Sequence, residues 1–133
     1  MKHLIALFTS AALMLSTGAS AEDNLKYFMV KGKLKPEIAK MLVDHPMDPT
    51  AGAKKLVASI KGAKLVSYYL EAGTAANIAI IAVPDSDYAS AIVYQRMSTG
   101  ALIDIEVREI IPAAKFEQVM QLANDMNKAE AKK

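Results

Sequence analysis

The segment NIAIIAVP, residues 77–84, is a nearly unbroken apolar run of strand length. A run of this kind is typical of a central strand that is covered on both faces, because a strand with one wet face alternates apolar and polar residues. Pro84 ends the run, since proline has no backbone amide hydrogen to donate to a sheet. The chain is therefore expected to fold around this strand.

Three further segments are predicted to be strands, namely residues 25–33, 63–72 and 101–111. The first is rich in aromatic and branched side chains. Alternation in the second predicts one face with Val66, Tyr68 and Leu70 and another with Leu65, Ser67 and Tyr69. Alternation in the third predicts an apolar face with Ile103, Ile105 and Val107 and a polar face with Asp104, Glu106 and Arg108.

Helices are predicted between the strands. The first begins at Pro36 and ends near His45, because the following proline disfavours helix at that histidine. A second runs from a cap at Asp48 to Gly62. A third runs from a cap at Asp85 to Gly100, and a last helix opens at Pro112 and is expected to bury the apolar set Phe116, Val119, Met120 and Ala123.

This order of elements predicts an α+β fold, a ferredoxin-like βαββαβ antiparallel sheet with helices on one face plus a C-terminal helix. The second face of the sheet, where Tyr68 or Tyr69 would lie, would then be a large exposed patch. A second copy of the chain packed sheet against sheet would cover it, so a homodimer is expected.

Residues 1–21 have the pattern of a secretory signal peptide, with a basic start at Lys2, an apolar run over residues 4–15 and small residues before a cleavage site at Ala21. The alternative, a membrane anchor, would need about 20 apolar residues. The prediction is a periplasmic or secreted protein with no membrane span after cleavage. Its single domain covers residues 22–127, and a flexible tail covers residues 128–133.

The composition excludes several classes of function. The chain has no cysteine, which rules out disulfides, thiolate metal sites and a thiol nucleophile, and its formal net charge is +2 with the two signs well mixed. No nucleic-acid partner is therefore predicted. No glycine-rich phosphate loop or dinucleotide fingerprint occurs, and no cofactor or metal is expected.

Four segments together resemble the GYD-domain family: YFMVKGKLKPE, LVDHPMDPTAGAKKLVASIKGAKLVSYYLEAG, IIAVPDSDYASA and STGALIDIEVREIIP. They occur in order over roughly residues 25–112. The resemblance implies a ferredoxin-like domain, akin to the dimeric α/β-barrel proteins, that associates with itself. It implies no particular activity, because the family has no well-established one.

The namesake Gly-x-Tyr-Asp of that family falls on Gly73, Thr74, Ala75 and Ala76. The glycine is kept, but alanine replaces the tyrosine and the aspartate, and alanine offers neither a proton nor a charge. The loop before the central strand is therefore interpreted as a turn and not as a reactive site.

Six residues are candidates for binding a small molecule: His45, Tyr69, Arg96, Asp104, Glu106 and Arg108. His45 lies beside two aspartates that could orient it, although aspartates on such a turn are commonly helix caps. The row Asp104, Glu106 and Arg108 could position a polar ligand between two sheets, or it could be a solvated face or a row of salt bridges.

Two classes of function remain. The favoured hypothesis is a non-enzymatic ligand-binding or self-assembly module. The alternative is a cofactor-independent oxidoreductase or isomerase of the dimeric α/β-barrel kind. A buried cavity that a charged group faces would favour the enzyme, and a filled, dry sheet interface would favour the module.

Overall fold

The protein contains one four-stranded antiparallel sheet with the strand order β2-β3-β1-β4. A computed structural model describes residues 24–132, so the predicted signal peptide and its cleavage site lie outside the described residues. The elements are β1 (Lys26–Leu34), α1 (Pro36–Asp44), α2 (Thr50–Ala58), β2 (Lys64–Glu71), β3 (Ala76–Val83), α3 (Ser86–Thr99), β4 (Leu102–Ile110), a 3-10 turn (Ala113–Lys115) and α4 (Phe116–Glu130). This confirms the predicted α+β fold, with the strand order of a ferredoxin-like domain and a C-terminal helix.

The apolar run is strand β3, which lies between β2 and β1 as predicted for a central strand. Its side chains Ile81 and Val83 are among the most buried of the protein. They pack with Phe28 and Val30 of β1 and with helix residues such as Val57 in one hydrophobic core. The core therefore lies between the sheet and helices α2 and α3.

Local signals define the ends of the helices. The Asp85 carboxylate accepts a hydrogen bond from the amide of Asp87 at 2.9 Å, which caps α3, and Gly100 ends this helix with a φ of 68°. The Asp48 carboxylate accepts from the amide of Thr50 at 2.8 Å at the start of α2. The helix boundaries predicted at Asp85 and Gly100 are confirmed, whereas α2 has Pro49 at its N-cap and ends at Ala58 instead of Gly62.

A β-bulge in β2 changes the predicted arrangement of its side chains. Leu65 pairs with Ile81 and Ser67 pairs with Ile80, so Val66 is an additional residue in the ladder. Leu65 consequently faces the helices together with Tyr68, which pairs with Ala79. The prediction that Leu65 shares a face with Ser67 and Tyr69 is wrong.

A second irregularity lies in β4. Lys33 pairs with Ile103 and Lys31 pairs with Glu106, so Asp104 and Ile105 together lie opposite one residue of β1. Asp104 has a φ of 52°, in the left-handed region. Ile105 packs against the core, but Ile103 lies on the opposite face, so the prediction that these two isoleucines share a face is wrong.

The last helix also departs from expectation. None of its residues is buried, and the side chain of Phe116 is 61% exposed. The prediction that Phe116, Val119, Met120 and Ala123 are buried is therefore wrong within the chain itself. Helix α4 continues to Glu130, into the segment predicted as a tail.

We call the sheet surface opposite α1, α2 and α3 the open face. Its strand residues are given by the registers of the sheet. They are Tyr27, Met29, Lys31, Lys33, Lys64, Ser67, Tyr69, Glu71, Ala76, Ile78, Ile80, Ala82, Ile103, Glu106, Arg108 and Ile110.

Candidate functional site

A cavity of ≈ 180 Å³ lies between the sheet and the helices, on the side away from the open face. Its floor is formed by β1, β2 and β3, and its walls by α1, α2 and α3 with the start of β4. Most of the side chains that line it are aliphatic, among them Val30, Leu56 and Ile92. The cavity is therefore an apolar site within the helix–sheet layer.

Small residues account for the space in this part of the core. Gly32, Ala53 and Ala79 line the cavity, each from a different element. A β-carbon at Gly32 would lie 3.1 Å from Cδ1 of Leu102, so no larger residue fits there without a shift. The cavity consequently extends down to the backbone of β1 and β3, because larger side chains at these positions would fill it.

Polar side chains enter this apolar lining at three positions, Tyr68, Asn77 and Arg96. Tyr68 on β2 pairs with Ala79, two residues along β3 from Asn77, so the two side chains are diagonal neighbours on the same face of the sheet. Arg96 reaches the cavity from the last turn of α3. The fold thus brings together residues from three elements.

Asn77 is the most restricted of the three. Its residue is only 9% exposed, and its side-chain oxygen Oδ1 is buried without a hydrogen-bond partner among the described residues. Such an atom costs about 1–3 kcal/mol of stability if it stays unpaired. A buried amide oxygen on a cavity wall is therefore a natural acceptor for a bound molecule.

Tyr68 and Arg96 set the electrostatics of the cavity. Burial raises the pKa of the Tyr68 hydroxyl, while the charge of Arg96 and a hydrogen bond from Asn77 act in the opposite direction. Tyr68 is consequently protonated at neutral pH. In the part of the chain that the structure describes, no hydrogen bond or ion pair engages the Arg96 guanidinium.

Of the candidates predicted from the sequence, only Arg96 lines this cavity. Tyr69, Glu106 and Arg108 lie on the open face, and Asp104 lies at the bulge beside it. Lys33 pairs with the Asp104 carboxylate at 3.2 Å, and Arg108 donates to the Glu106 carboxylate. Asp104, Glu106 and Arg108 of β4 thus form salt bridges on the other side of the sheet from the cavity.

His45 lies apart from both surfaces. It follows the end of α1 and is exposed. Neither neighbouring aspartate orients it, since the Asp44 carboxylate accepts from Lys40 and the Asp48 carboxylate accepts from Thr50. Among residues 24–132, no group of three or more acidic or histidine side chains is placed to hold a metal ion.

The loop from Ala72 to Ala75 is a tight turn between β2 and β3. Gly73 has a φ of 84° with open space around it, and Ala75 has a φ of 53°. The Thr74 hydroxyl donates to the Glu71 carboxylate, so the polar group of this turn is used within the turn itself. Ala76, in contrast, is fully buried at the start of β3.

Tyr68 and Asn77 are the functional candidates that were not predicted from the sequence. For Asn77 a signal exists, because it is a polar residue at the start of an otherwise apolar central strand. For Tyr68 the sequence contains no such signal, because Tyr68 and Tyr69 are adjacent on one strand and point to opposite faces of the sheet. Which of the two faces the helices depends on the register and the bulge of β2.

Comparison with protein-family models, with curated proteins and with solved structures gives no match for this chain. In the region from residue 24 to residue 132, no helix combines the length and the apolar character needed to cross a membrane. The functional assignment consequently depends on the chemistry of the cavity.

Proposed function

We propose that the protein is a non-enzymatic binding module that holds one small, largely apolar molecule in the cavity between the sheet and the helices. The observation that supports this most directly is the buried, unpartnered Oδ1 of Asn77 in an apolar lining. A bound molecule that donates a hydrogen bond would remove the cost of that atom. The apolar walls would supply most of the affinity.

The volume of the cavity limits the size of the ligand. An engineered protein cavity of about 150 Å³ takes up benzene. The cavity of ≈ 180 Å³ described here is therefore suited to a single ring with one or two small substituents.

The second candidate function is a cofactor-independent oxidoreductase or isomerase, and the Arg96 charge at the cavity is the observation that favours it. Acid–base chemistry also needs a general base near neutral pKa. The residues that line the cavity in the described part of the chain include no carboxylate and no histidine. Because burial raises the pKa of Tyr68, that hydroxyl is no base at neutral pH. Binding without turnover therefore agrees better with this lining.

Binding can be tested with purified protein and a variant that fills the cavity. We expect native mass spectrometry to detect a co-purifying small molecule, and calorimetry to detect binding of simple ring compounds such as phenol. Ala53 lines the cavity, whereas Ala51 on the same helix is exposed and does not. Ala53→Phe should abolish binding and Ala51→Phe should not. A wild-type protein that binds no ring compound would refute the proposal, and conversion of a bound compound would favour the enzyme.

We also propose that the protein is a homodimer through the open face and that it is related to the GYD-domain proteins. Tyr69 on this face is 60% exposed and Ile103 is 39% exposed, which is unfavourable for large apolar side chains in water. A partner sheet would remove this surface from water.

Export is the third part of the proposal. It is supported by the basic start, the apolar run and the Ala-Ser-Ala end of residues 1–21. Sequencing the N-terminus of protein expressed in a bacterial host is the measurement, and a mature chain that begins at Glu22 is the expected result. A full-length cytoplasmic product would contradict it.

A further inference from the structure

The polar groups of the cavity define which ligand chemistry it would accept. Arg96 offers a positive charge that no described acidic residue neutralises. A guanidinium next to apolar walls is partly desolvated and is best matched by a carboxylate, which accepts two parallel hydrogen bonds from it. A cationic ligand, in contrast, would be repelled.

The Asn77 amide lies on the cavity wall beside Tyr68. The nitrogen end of this amide carries two hydrogen-bond donors. The other end of the amide, Oδ1, is the atom left without a partner. Asn77 therefore needs a donor from the ligand, such as a hydroxyl.

Tyr68 adds a second donor. Tyr68 lines the cavity, and its phenol O–H can donate to an acceptor there. The lining as a whole presents two donors, Arg96 and Tyr68, and one acceptor, Asn77, on otherwise apolar walls. The complementary molecule has an anionic acceptor group, one donor and an apolar body.

We infer that the ligand is a small hydroxy acid built on one ring, with its carboxylate held by Arg96 and Tyr68 and its hydroxyl donating to Asn77. This inference rests on the proposed binding function. It goes beyond that function by stating the class of ligand and the residues that select it.

The test measures the affinities of four kinds of probe by calorimetry: toluene, phenol, benzoate and the three hydroxybenzoate isomers. A charge-assisted hydrogen bond contributes about 1.5–3 kcal/mol, so benzoate should bind at least about tenfold more tightly than toluene. A neutral hydrogen bond is weaker, and the best hydroxybenzoate isomer should gain about a further fivefold over benzoate.

Variants assign each preference to a residue. Arg96→Gln should remove the advantage of benzoate over toluene, whereas Arg108→Gln, on the open face, should leave it unchanged. Asn77→Leu should remove the advantage of the hydroxyl without lowering the melting temperature, because it deletes an unpaired buried atom. Asn77→Asp should weaken benzoate binding by charge repulsion while phenol still binds, and it provides a second measurement if the leucine variant does not fold.

The outcomes separate this inference from the proposed function. If toluene or phenol binds as tightly as the acids, or if Arg96→Gln leaves benzoate binding unchanged, the hydroxy-acid inference is wrong and the binding function stands. If no probe binds to the wild-type protein, both are wrong.

Discussion

Backbone strain in the described chain is concentrated at two residues, one alanine and one aspartate. Ala75 and Asp104 are the non-glycine residues with positive φ in the described chain, at 53° and 52°. For an L-residue with a β-carbon, the left-handed conformation costs about 1–2 kcal/mol. Ala75 is held there because it closes the turn before β3 and its carbonyl accepts from the amide of Leu34 at 3.0 Å.

Ala75→Gly should therefore raise the free energy of unfolding by about 0.5 kcal/mol, the relief of strain less the added freedom of the unfolded chain. Urea unfolding is the measurement. Ala72 is an exposed residue of the same turn without positive φ, and Ala72→Gly should lower the same quantity by about 0.4–1 kcal/mol. Equal effects of the two variants would contradict the assignment of strain to Ala75.

Among the secondary-structure elements, an ion pair connects the end of β2, next to the β2–β3 turn, with strand β1. Lys31 Nζ on β1 lies 2.8 Å from Oε2 of Glu71 at the end of β2, and the two side chains are 30% and 35% exposed. Hydrogen bonds from Lys31 and from Thr74 hold the pKa of the Glu71 carboxyl below its usual range. The pair spans β3, which lies between β1 and β2.

This pKa predicts an acid-dependent part of the stability. Because the pKa of Glu71 is lower in the folded than in the unfolded state, its contribution is present above the unfolded value of about 4.5 and is lost as the pH falls through the folded value. Glu71→Gln should thus be less stable than wild type at neutral pH and nearly equal to it in strong acid. Urea unfolding across this pH range is the measurement, with Glu109→Gln as the control. A stability difference that is independent of pH would contradict the prediction.

For the whole molecule, exposed apolar surface is the feature that supports the proposed dimer. Besides the open face, helix α4 exposes Leu122 at 66% and Met126 at 70%. Such surfaces on a small domain without disulfides are typical of protein–protein interfaces.

We expect light scattering at micromolar concentration to show a dimer of the mature protein. Tyr69→Lys places a charge on the open face and should weaken dimerisation at least about tenfold, since burying an unpaired charge costs well over 1 kcal/mol. Tyr94 on α3 is also exposed but lies on the helix side of the domain, so Tyr94→Lys is the matched control. A strictly monomeric wild-type protein would rule out the dimer.

The order of the elements and the ends of several of them were predictable from the sequence. The end of an element depends on single residues: Asp85 caps α3 with its side chain, Gly100 ends α3 with a positive φ, and Pro84 ends β3 because it has no amide hydrogen. The apolar run of β3 is buried in any fold that this chain could adopt. Such interactions are local, and they were predictable without knowledge of the fold.

Which side chains share a face and which of them line a site depends on the packing of the whole domain. The additional residues at Val66 in β2 and at Asp104 in β4 shift the alternation, because register is set by the neighbouring strand and not by the segment alone. The cavity depends on this register, which places the Tyr68 side chain on the helix side of the sheet beside Asn77. Helix α3 brings Arg96 to the same cavity. These three residues come from separate elements, and their proximity is a property of the packed domain.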